Sequence, residues 1–286
     1  MTQSIPPIID HFAALAPDYD AVLCDVWGVI HNSIVPFAAA CDALIRIRKA
    51  GGAVILITNA PRPGEVVIKY LDGLGVPREV YDDIISSGDV TRHVIASRPG
   101  QTAFHLGPER DAPIFKGLDV ERVPADRADY VVCTGLFDDE TETAENYRSM
   151  FAGFRERNLF MLCANPDVVV ARGDSLLPCA GALADLYAQM GGDVLFAGKP
   201  HRPIYDEAFA LVEKTLGREP PHGRILAIGD SVRTDLAGAA ALGLQCLFVA
   251  GGIHAAEIAS GDASGLSSLF AEAGVVPHAV MRELAW

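Results

Sequence analysis

The chain has 286 residues, of which 50% are hydrophobic and 21% are charged, and its formal net charge at pH 7 is −14. This composition is typical of a globular protein with one large or two smaller domains, and it excludes a disordered or fibrous chain. The excess of acidic residues also argues against nucleic acid as a partner, because binding a polyanion requires clustered Lys and Arg.

The six cysteines share an apolar setting and show no CxxC or zinc-ligand spacing: Cys24, Cys41, Cys133, Cys163, Cys179 and Cys246. We expect them to be reduced core thiols in a cytoplasmic protein, because disulfides are rare in that compartment. The first twenty residues lack the basic start and the long apolar stretch of a secretory signal, and no apolar run is long enough to cross a bilayer. We therefore expect no membrane partner.

Outside the middle of the chain, short β-branched runs alternate with amphipathic stretches of helical period. In chain order, the predicted elements are a strand at 21–25, a helix at about 37–50, a strand at 53–58, a helix at about 64–75, a helix at about 203–216, a strand at 225–229, a helix at about 235–243 and a strand at 245–249. This alternation predicts an α/β fold whose parallel, Rossmann-like sheet is covered by helices on both faces.

The middle of the chain interrupts this alternation. It contains three further strand candidates, at 103–106, 129–134 and 160–164, and a helical stretch at about 142–158. Because the outer segments already form a sheet without them, we interpret the middle as an inserted α/β domain with its own core. The predicted domains are therefore a core formed by residues 1–86 plus 186–286 and an inserted domain formed by residues 87–185.

Polar side chains stand directly after two predicted strands in the first part of the chain, and ligands of open α/β sheets bind at the carboxyl ends of the strands. Asp25 follows the first strand, where a carboxylate could attack phosphorus, ligate a cation or simply cap the next turn. Thr58 and Asn59 end the second strand, where a hydroxyl and an amide could donate to phosphate oxygens or serve as ordinary turn residues.

Two further clusters lie in the last part of the chain. Lys199 precedes a Pro-initiated helix, where its ammonium could hold a phosphoryl group or be solvated in a loop. Asp230 and Asp235 flank a tight turn; paired carboxylates suit a hard cation such as Mg²⁺, although Asp235 could also cap a helix. A carboxylate approaches a phosphate dianion readily only when a metal ion and a Lys offset the repulsion, so the four clusters are consistent with one phosphoryl-transfer site.

Four motifs occur in the order and spacing of the haloacid dehalogenase (HAD) superfamily: DVWGV (25–29), ITNA (57–60), GKP (198–200) and GDSVRTD (229–235). The insertion between the second and third motifs resembles the C2 cap of subfamily IIA, the NagD and para-nitrophenylphosphatase-like proteins. Three more segments resemble that subfamily: IISSG (84–88), ANPD (164–167) and GGIHAAE (251–257). The resemblance covers nearly the whole chain and implies a HAD-type core with an inserted C2-type cap domain.

The resemblance also implies an activity, namely the Mg²⁺-dependent hydrolysis of a small phosphorylated metabolite through an aspartyl-phosphate intermediate, in a protein that could be a homodimer. Asp25 would be the nucleophile and the first metal ligand. The other implied metal ligands are the backbone carbonyl of Trp27 and the carboxylates of Asp230 and Asp235. The residues that would hold the transferring phosphoryl group are Thr58, Asn59 and Lys199.

The chain departs from the family pattern at Trp27. The first family motif normally reads Asp-x-Asp, and its second Asp protonates the leaving alkoxide and then activates water. An indole N–H cannot shuttle a proton, and general acid–base catalysis contributes about 10²–10⁴-fold. The departure leaves open a slow phosphatase, one limited to good leaving groups, or a protein that binds a phosphorylated metabolite as a sensor or regulator. A Rossmann-type nucleotide binder ranks last, because no GxGxxG or Walker motif is present.

Two histidines near the predicted site could replace the missing acid. His31 lies in the same loop as Trp27, and His254 follows the last predicted strand, although either could also be a solvated loop residue. His254 is in addition a candidate substrate contact. In the insertion, Asn165 and Asp167 are candidate substrate contacts as well as turn-formers, because this segment faces the active site in similar proteins.

Overall fold

The computed structural model describes residues 6–172, 175–255 and 263–286. Its strands are β1 (Ala21–Cys24), β2 (Ala53–Thr58), β3 (Asp83–Ser86), β4 (Ala103–Leu106), β5 (Tyr130–Cys133), β6 (Phe160–Cys163), β7 (Val169–Arg172), β8 (Ser175–Pro178), β9 (Asp193–Phe196), β10 (Ile225–Gly229), β11 (Gln245–Val249) and β12 (Ala279–Met281). Its α-helices are α1 (Ala38–Lys49), α2 (Gly64–Leu74), α3 (Ser87–Ala96), α4 (Arg148–Glu156), α5 (Ala180–Gln189), α6 (Arg202–Leu216), α7 (Ala237–Ala241) and α8 (Ala263–Ala273).

Short helical turns connect some of these elements. The 3-10 turns are Phe12–Ala14, Ala16–Asp18, Arg78–Val80, Glu109–Phe115, Ala144–Tyr147 and His222–Arg224, and a π-helical turn spans Val232–Leu236. Within the described ranges, every helix is too short or too polar to cross a membrane. Two residues of the GGIHAAE segment, at 256 and 257, lie outside the described residues.

The chain divides into two compact units. The first unit comprises Met1–Thr58, Ile68–Ile85 and Tyr205–Trp286, and the second unit comprises Asn59–Val67 and Ser86–Ile204. Each unit contains a parallel sheet together with helices, so the predicted α/β class is confirmed.

The first unit is built on a six-stranded sheet with the strand order β12-β11-β10-β1-β2-β3. The strands from β12 to β2 pair in parallel, and every residue of β1, β2 and β10 is buried. Continuous buried runs of this kind are typical of parallel strands that are covered on both faces. Because the pairing is parallel, the carboxyl ends of β1, β2 and β10 lie along one edge of the sheet.

The second unit contains a four-stranded parallel sheet with the order β4-β5-β6-β9 and a separate antiparallel hairpin of β7 and β8. Its core is rich in aromatic side chains. The fully buried ring of Phe151 lies with its centroid 5.4 Å from that of Tyr187, 5.9 Å from that of Phe154 and 6.1 Å from that of Tyr147. These rings form the centre of the packing between α4, α5 and the sheet.

The second unit extends past the predicted boundary at residue 185. β9 pairs in parallel with β6, and two residues of α5 that lie beyond 185, Leu186 and Tyr187, belong to the same core. β9 is a four-residue edge strand without a fully buried position, so its sequence carries little sign of the sheet to which it belongs. Residues 59–67 also cluster with the second unit, although the sequence predicts them in the first.

Other elements differ from the prediction at their ends. The helical stretch predicted at 142–158 becomes a 3-10 turn followed by α4, and the helix predicted at 235–243 becomes the end of the π-helical turn followed by α7.

The sequence pattern predicts neither β3 nor α3, which follow one another without a loop. The Ser86 hydroxyl accepts the Asp89 N–H and the Asp89 carboxylate accepts the Ser86 N–H, a capping box that starts α3 at once.

The aromatic core of the second unit can be tested with Phe151→Ala. We expect this variant to lose about 3–5 kcal/mol of unfolding free energy, because it removes a buried ring and leaves a cavity. The control is Phe137→Ala, since the Phe137 side chain is 44% exposed. Chemical denaturation measures both variants, and an equal loss in the two would contradict the central position of Phe151.

Candidate active site

Three carboxylates meet at the carboxyl edge of the first unit's sheet. β1 and β10 are paired neighbours, with Cys24 opposite Ile228, and the N–H of Asp25 continues the pairing to the carbonyl of Ile228 at 2.8 Å. Asp25, Asp230 and Asp235 each offer a carboxylate oxygen, and these three oxygens lie within 4.8 Å of one another. The three residues are only 9%, 2% and 3% exposed. The metal ligation predicted for these three residues stays a prediction.

Two glycines and a backbone N–H fix the position of Asp230. A Cβ atom at Gly28 or at Gly252 would lie 2.0 Å from Oδ2 of Asp230, so neither position has room for a side chain. Gly28 also has a φ of +81°, which glycine adopts without strain. The N–H of Ile253 donates to the same Oδ2 at 2.7 Å. Asp230 is therefore held in a cradle of backbone atoms.

The π-helical turn holds Asp235 in a similar way. The N–H of Ser231 donates to Oδ2 of Asp235 at 3.2 Å, and a Cβ at Gly229 would lie 2.1 Å from the Asp235 carboxyl carbon. The last residue of β10 must therefore be small for Asp235 to approach the other two carboxylates. π-helical turns inside helices are often found at functional sites.

The chemistry of this donor set fits Mg²⁺. All three side chains offer oxygen atoms, which hard divalent cations prefer, and one oxygen from each side chain lies within 4.8 Å of the other two. Carboxylates at this separation repel one another strongly unless a cation offsets their charge. The predicted metal ligation by the carbonyl of Trp27 stays a prediction.

The loop after β1 folds back on itself and fixes Trp27. The indole N–H of Trp27 donates to the hydroxyl of Ser33 at 3.0 Å, and the backbone of Trp27 forms a parallel bridge with His31. Ser33, with a φ of 72°, donates its own N–H to Nδ1 of His31 at 2.9 Å. The His31 ring packs edge-on against Tyr70 of α2, with centroids 5.7 Å apart.

This setting argues against His31 as the replacement acid. Burial lowers the pKa of His31 to about 4, so its ring is neutral at pH 7. Its Nδ1 accepts the Ser33 N–H and therefore carries no proton. A neutral imidazole with its acceptor nitrogen engaged is a poor proton donor.

Thr58 is the last residue of β2, which is the other neighbour of β1. Cys24 is opposite Leu56, so Asp25 and Thr58 both stand at the carboxyl edge of the sheet. Thr58 is 8% exposed. Its hydroxyl lies at the edge where a bound phosphoryl group is expected, and its predicted contact with that group stays a prediction.

In the second unit, the Asn59 amide clamps the backbone of Lys199. Its Nδ2 donates to the Lys199 carbonyl at 3.0 Å and its Oδ1 accepts the Lys199 N–H at 2.7 Å. Nδ2 also donates to Oδ1 of Asp167 at 2.8 Å. Both amide hydrogens of Asn59 are therefore engaged, and its predicted contact with a phosphoryl group would require one of these bonds to break.

The remaining candidate residues are divided between the second unit and the first unit. Asn165 accepts the Asp167 N–H through its side-chain oxygen at 3.0 Å, which is the predicted turn, and Lys199 is only 2% exposed. His254, in the first unit, directly follows the Ile253 N–H that binds Asp230, and its ring centroid is 6.2 Å from that of Phe248. The substrate contacts predicted for Asn165, Asp167 and His254 stay predictions.

Sequence reasoning missed three residues of this site: Gly28, Gly252 and Ser33. The glycines stand inside DVWGV and GGIHAAE, so a glycine within a motif was the available signal. No pattern in the sequence connects Ser33 with the indole of Trp27.

Two family models match parts of this chain. The family model described as haloacid dehalogenase-like hydrolase matches residues 22–121, and the HAD-hydrolase-like model matches residues 196–276. A solved haloacid dehalogenase-like hydrolase from Brucella suis 1330 is 48% identical, covers 96% of this chain and 99% of its own, and superposes with a TM-score of 0.84. The chain belongs to the haloacid dehalogenase-like hydrolase family, as the four motifs predict.

The named phosphatases among the similar proteins are more distant. The D-glycerol 3-phosphate phosphatase of Mycobacterium tuberculosis is 28% identical over 85% of this chain, and the chain spans 66% of that protein's length. A glycerol phosphate phosphatase structure from the same organism, in complex with magnesium, is 26% identical over 83% of this chain and 70% of its own, with a TM-score of 0.63. A p-nitrophenyl phosphatase from Archaeoglobus fulgidus, 22% identical over 93% of this chain and 97% of its own, shares the fold with a TM-score of 0.71.

The cradle around Asp230 leads to a prediction about metal binding. We expect Gly252→Ala to weaken Mg²⁺ binding by about 10-fold or more, because the new Cβ would displace the Asp230 carboxylate. Gly223→Ala is the control, since a Cβ there would meet nothing within 4 Å. Isothermal titration calorimetry with Mg²⁺ compares the variants; unchanged affinity in Gly252→Ala would contradict the assigned role of Asp230.

Proposed function

We propose that this protein is a Mg²⁺-dependent phosphatase that hydrolyses a small phosphate monoester through an aspartyl-phosphate intermediate on Asp25. The observation that carries the proposal is the meeting of three buried carboxylates at the carboxyl edge of the sheet, in a chain of this hydrolase family. Their glycine-lined setting supports a site that is built for a cation rather than a chance acidic cluster.

The proposed roles follow from the position of each side chain. A carboxylate oxygen of Asp25 attacks phosphorus, because Asp25 stands at the end of β1 with its carboxylate beside the cation site. Asp230 and Asp235 hold the metal together with Asp25. When bound, Mg²⁺ neutralises charge on the phosphoryl oxygens and so lowers the electrostatic barrier to attack by an anion.

The family resemblance supports the roles of the other polar groups. The Thr58 hydroxyl would donate to a phosphoryl oxygen, and the Lys199 ammonium would offset the phosphoryl charge. Asn59 would act on Lys199 as a positioning residue, because its amide fixes both the N–H and the carbonyl of that residue. We further propose that the second unit is the cap that shapes substrate choice.

The relatives support a small phosphorylated metabolite as the substrate class. One is named a D-glycerol 3-phosphate phosphatase, and a related structure contains magnesium. Sensing without turnover, the alternative that Trp27 raises, predicts binding of a phosphorylated ligand without release of phosphate. Metal-dependent phosphate release therefore separates the two functions directly.

The nucleophile is tested with Asp25→Asn. We expect this variant to lose phosphate release from p-nitrophenyl phosphate completely, because an amide is neither a competent nucleophile nor an anionic metal ligand. The control is Asp42→Asn on the exposed face of α1, whose rate should match the wild type. Wild-type turnover by Asp25→Asn, or turnover that persists after chelation of Mg²⁺, would remove the central assignment.

The role of Lys199 is tested with Lys199→Ala. We expect kcat to fall by about 10²-fold or more, with a smaller effect on stability, because the ammonium acts mainly on phosphoryl charge. The exposed Lys116→Ala serves as the control. Steady-state kinetics and thermal melts are measured together. An unfolded Lys199→Ala protein, or one with unaltered kinetics, would contradict this role.

A further inference from the structure

The segment that follows the nucleophile carries no acid. From Val26 to Ile30 the side chains are apolar or absent, with the indole of Trp27 as the sole side-chain hydrogen-bond donor. Transfer of a phosphoryl group to Asp25 leaves negative charge on the departing oxygen, which must be either protonated or intrinsically stable. The five residues from Val26 to Ile30 therefore offer no carboxyl or imidazole group that could supply a proton to this oxygen.

The indole N–H of Trp27 is already engaged. It donates to the Ser33 hydroxyl, and Ser33 is fixed in turn by its N–H bond to His31. The His31 side chain is 3% exposed and faces its own loop and the ring of Tyr70. The indole N–H of Trp27 and the Nδ1 of His31 are therefore both engaged within this loop.

The other side chains at this edge have different tasks. The Asp230 and Asp235 carboxylates each accept a backbone N–H and converge with Asp25 on the proposed cation site. The hydroxyl of Thr58 is too weak an acid to protonate a departing alkoxide. His254 adjoins the cradle, because it directly follows the Ile253 N–H that binds Asp230, and it is included in the test.

We propose that this active site is selective for phosphoryl compounds whose leaving group is weakly basic, namely acyl phosphates, phosphoanhydrides and activated aryl phosphates. The inference rests on the proposed phosphatase function and narrows its substrate class. It follows from the hydrogen-bonded loop of Trp27, Ser33 and His31, which places no acid at the position where the family motif normally carries one.

The chemical step balances without such a donor. A carboxylate oxygen of Asp25 forms a bond to phosphorus while the bond from phosphorus to the leaving oxygen breaks, and the electron pair of that bond departs with the oxygen as an anion. Water then attacks phosphorus, the bond from phosphorus to Asp25 breaks, and the proton of the water passes to solvent. The products are the leaving-group anion, inorganic phosphate and regenerated Asp25.

The proposal is tested on the wild-type protein with Mg²⁺ and a graded series of substrates. These are aryl phosphates of decreasing phenol acidity, acetyl phosphate and glycerol 3-phosphate, with kcat/KM measured for each. We expect kcat/KM to fall steeply as the leaving group becomes more basic, so that glycerol 3-phosphate is the poorest substrate. A flat dependence would overturn the proposal, because a group elsewhere in the protein would then be supplying the proton.

Two matched variants isolate the effect of a proton donor at position 27. Trp27→Asp and Trp27→Asn both remove the indole and differ by little in size, but only Asp can shuttle a proton. We expect Trp27→Asp to raise kcat/KM on glycerol 3-phosphate by about 10²–10⁴-fold over Trp27→Asn, with little difference between them on the most activated aryl phosphate. Equal rates of the two folded variants on glycerol 3-phosphate would count against the proposal, and thermal melts establish that both are folded.

His254→Asn completes the test. A selective loss of activity on the most basic leaving groups would identify His254 as the proton donor and overturn the proposal, whereas an unchanged leaving-group dependence supports it. Failure of the phosphatase function has a different signature. In that case the wild type would release no phosphate from any member of the series, and Asp25→Asn would be indistinguishable from it.

Discussion

The proximity of three carboxylates at a buried sheet edge is the constraint on which the site in the first unit depends. Two like charges about 4 Å apart repel by roughly 4 kcal/mol at an effective dielectric constant of about 20. Asp25, Asp230 and Asp235 lie in this range of separation with little access to water. Such an arrangement needs compensation, and backbone N–H groups supply part of it at Asp230 and Asp235. A divalent cation bound by the three carboxylates would add to this compensation.

The parallel sheet makes this proximity possible. Buried, largely apolar strands bring the ends of β1, β2 and β10 to one edge. The polar residues stand at or just beyond those ends: Thr58 ends β2, and Asp25 and Asp230 directly follow β1 and β10. The sheet thus stabilises the fold through apolar burial, while the electrostatic cost is confined to the loops. Phosphoryl transfer suits such an edge, because its main requirement is fixed charge around the reacting group.

Much of this site could be predicted from the sequence, because strand periodicity and local motifs are short-range signals. Asp25, Thr58 and Asp230 follow recognisable apolar runs, and parallel pairing necessarily brings such positions together. β3 and α3 were not predictable in the same way, since IISSG is short and the helix begins without a loop. The sheet membership of β9 was missed because a four-residue edge strand is too short to show which sheet it joins. The bonds of Asn59 to Lys199 join residues 140 positions apart, and no local pattern encodes them.

The two glycines that press on Asp230 also bear on how this site can change during evolution. Because Gly28 and Gly252 both leave no room beside the same carboxylate oxygen, a larger residue at either position is compatible only with a displaced or shorter side chain at 230. These positions are therefore under the same selection as the acidic residues themselves. In a lineage that abandons metal binding, side chains at 28 or 252 would become tolerable. A larger residue at position 28 or 252 of a related sequence would then indicate loss of the metal site, even where all three aspartates persist.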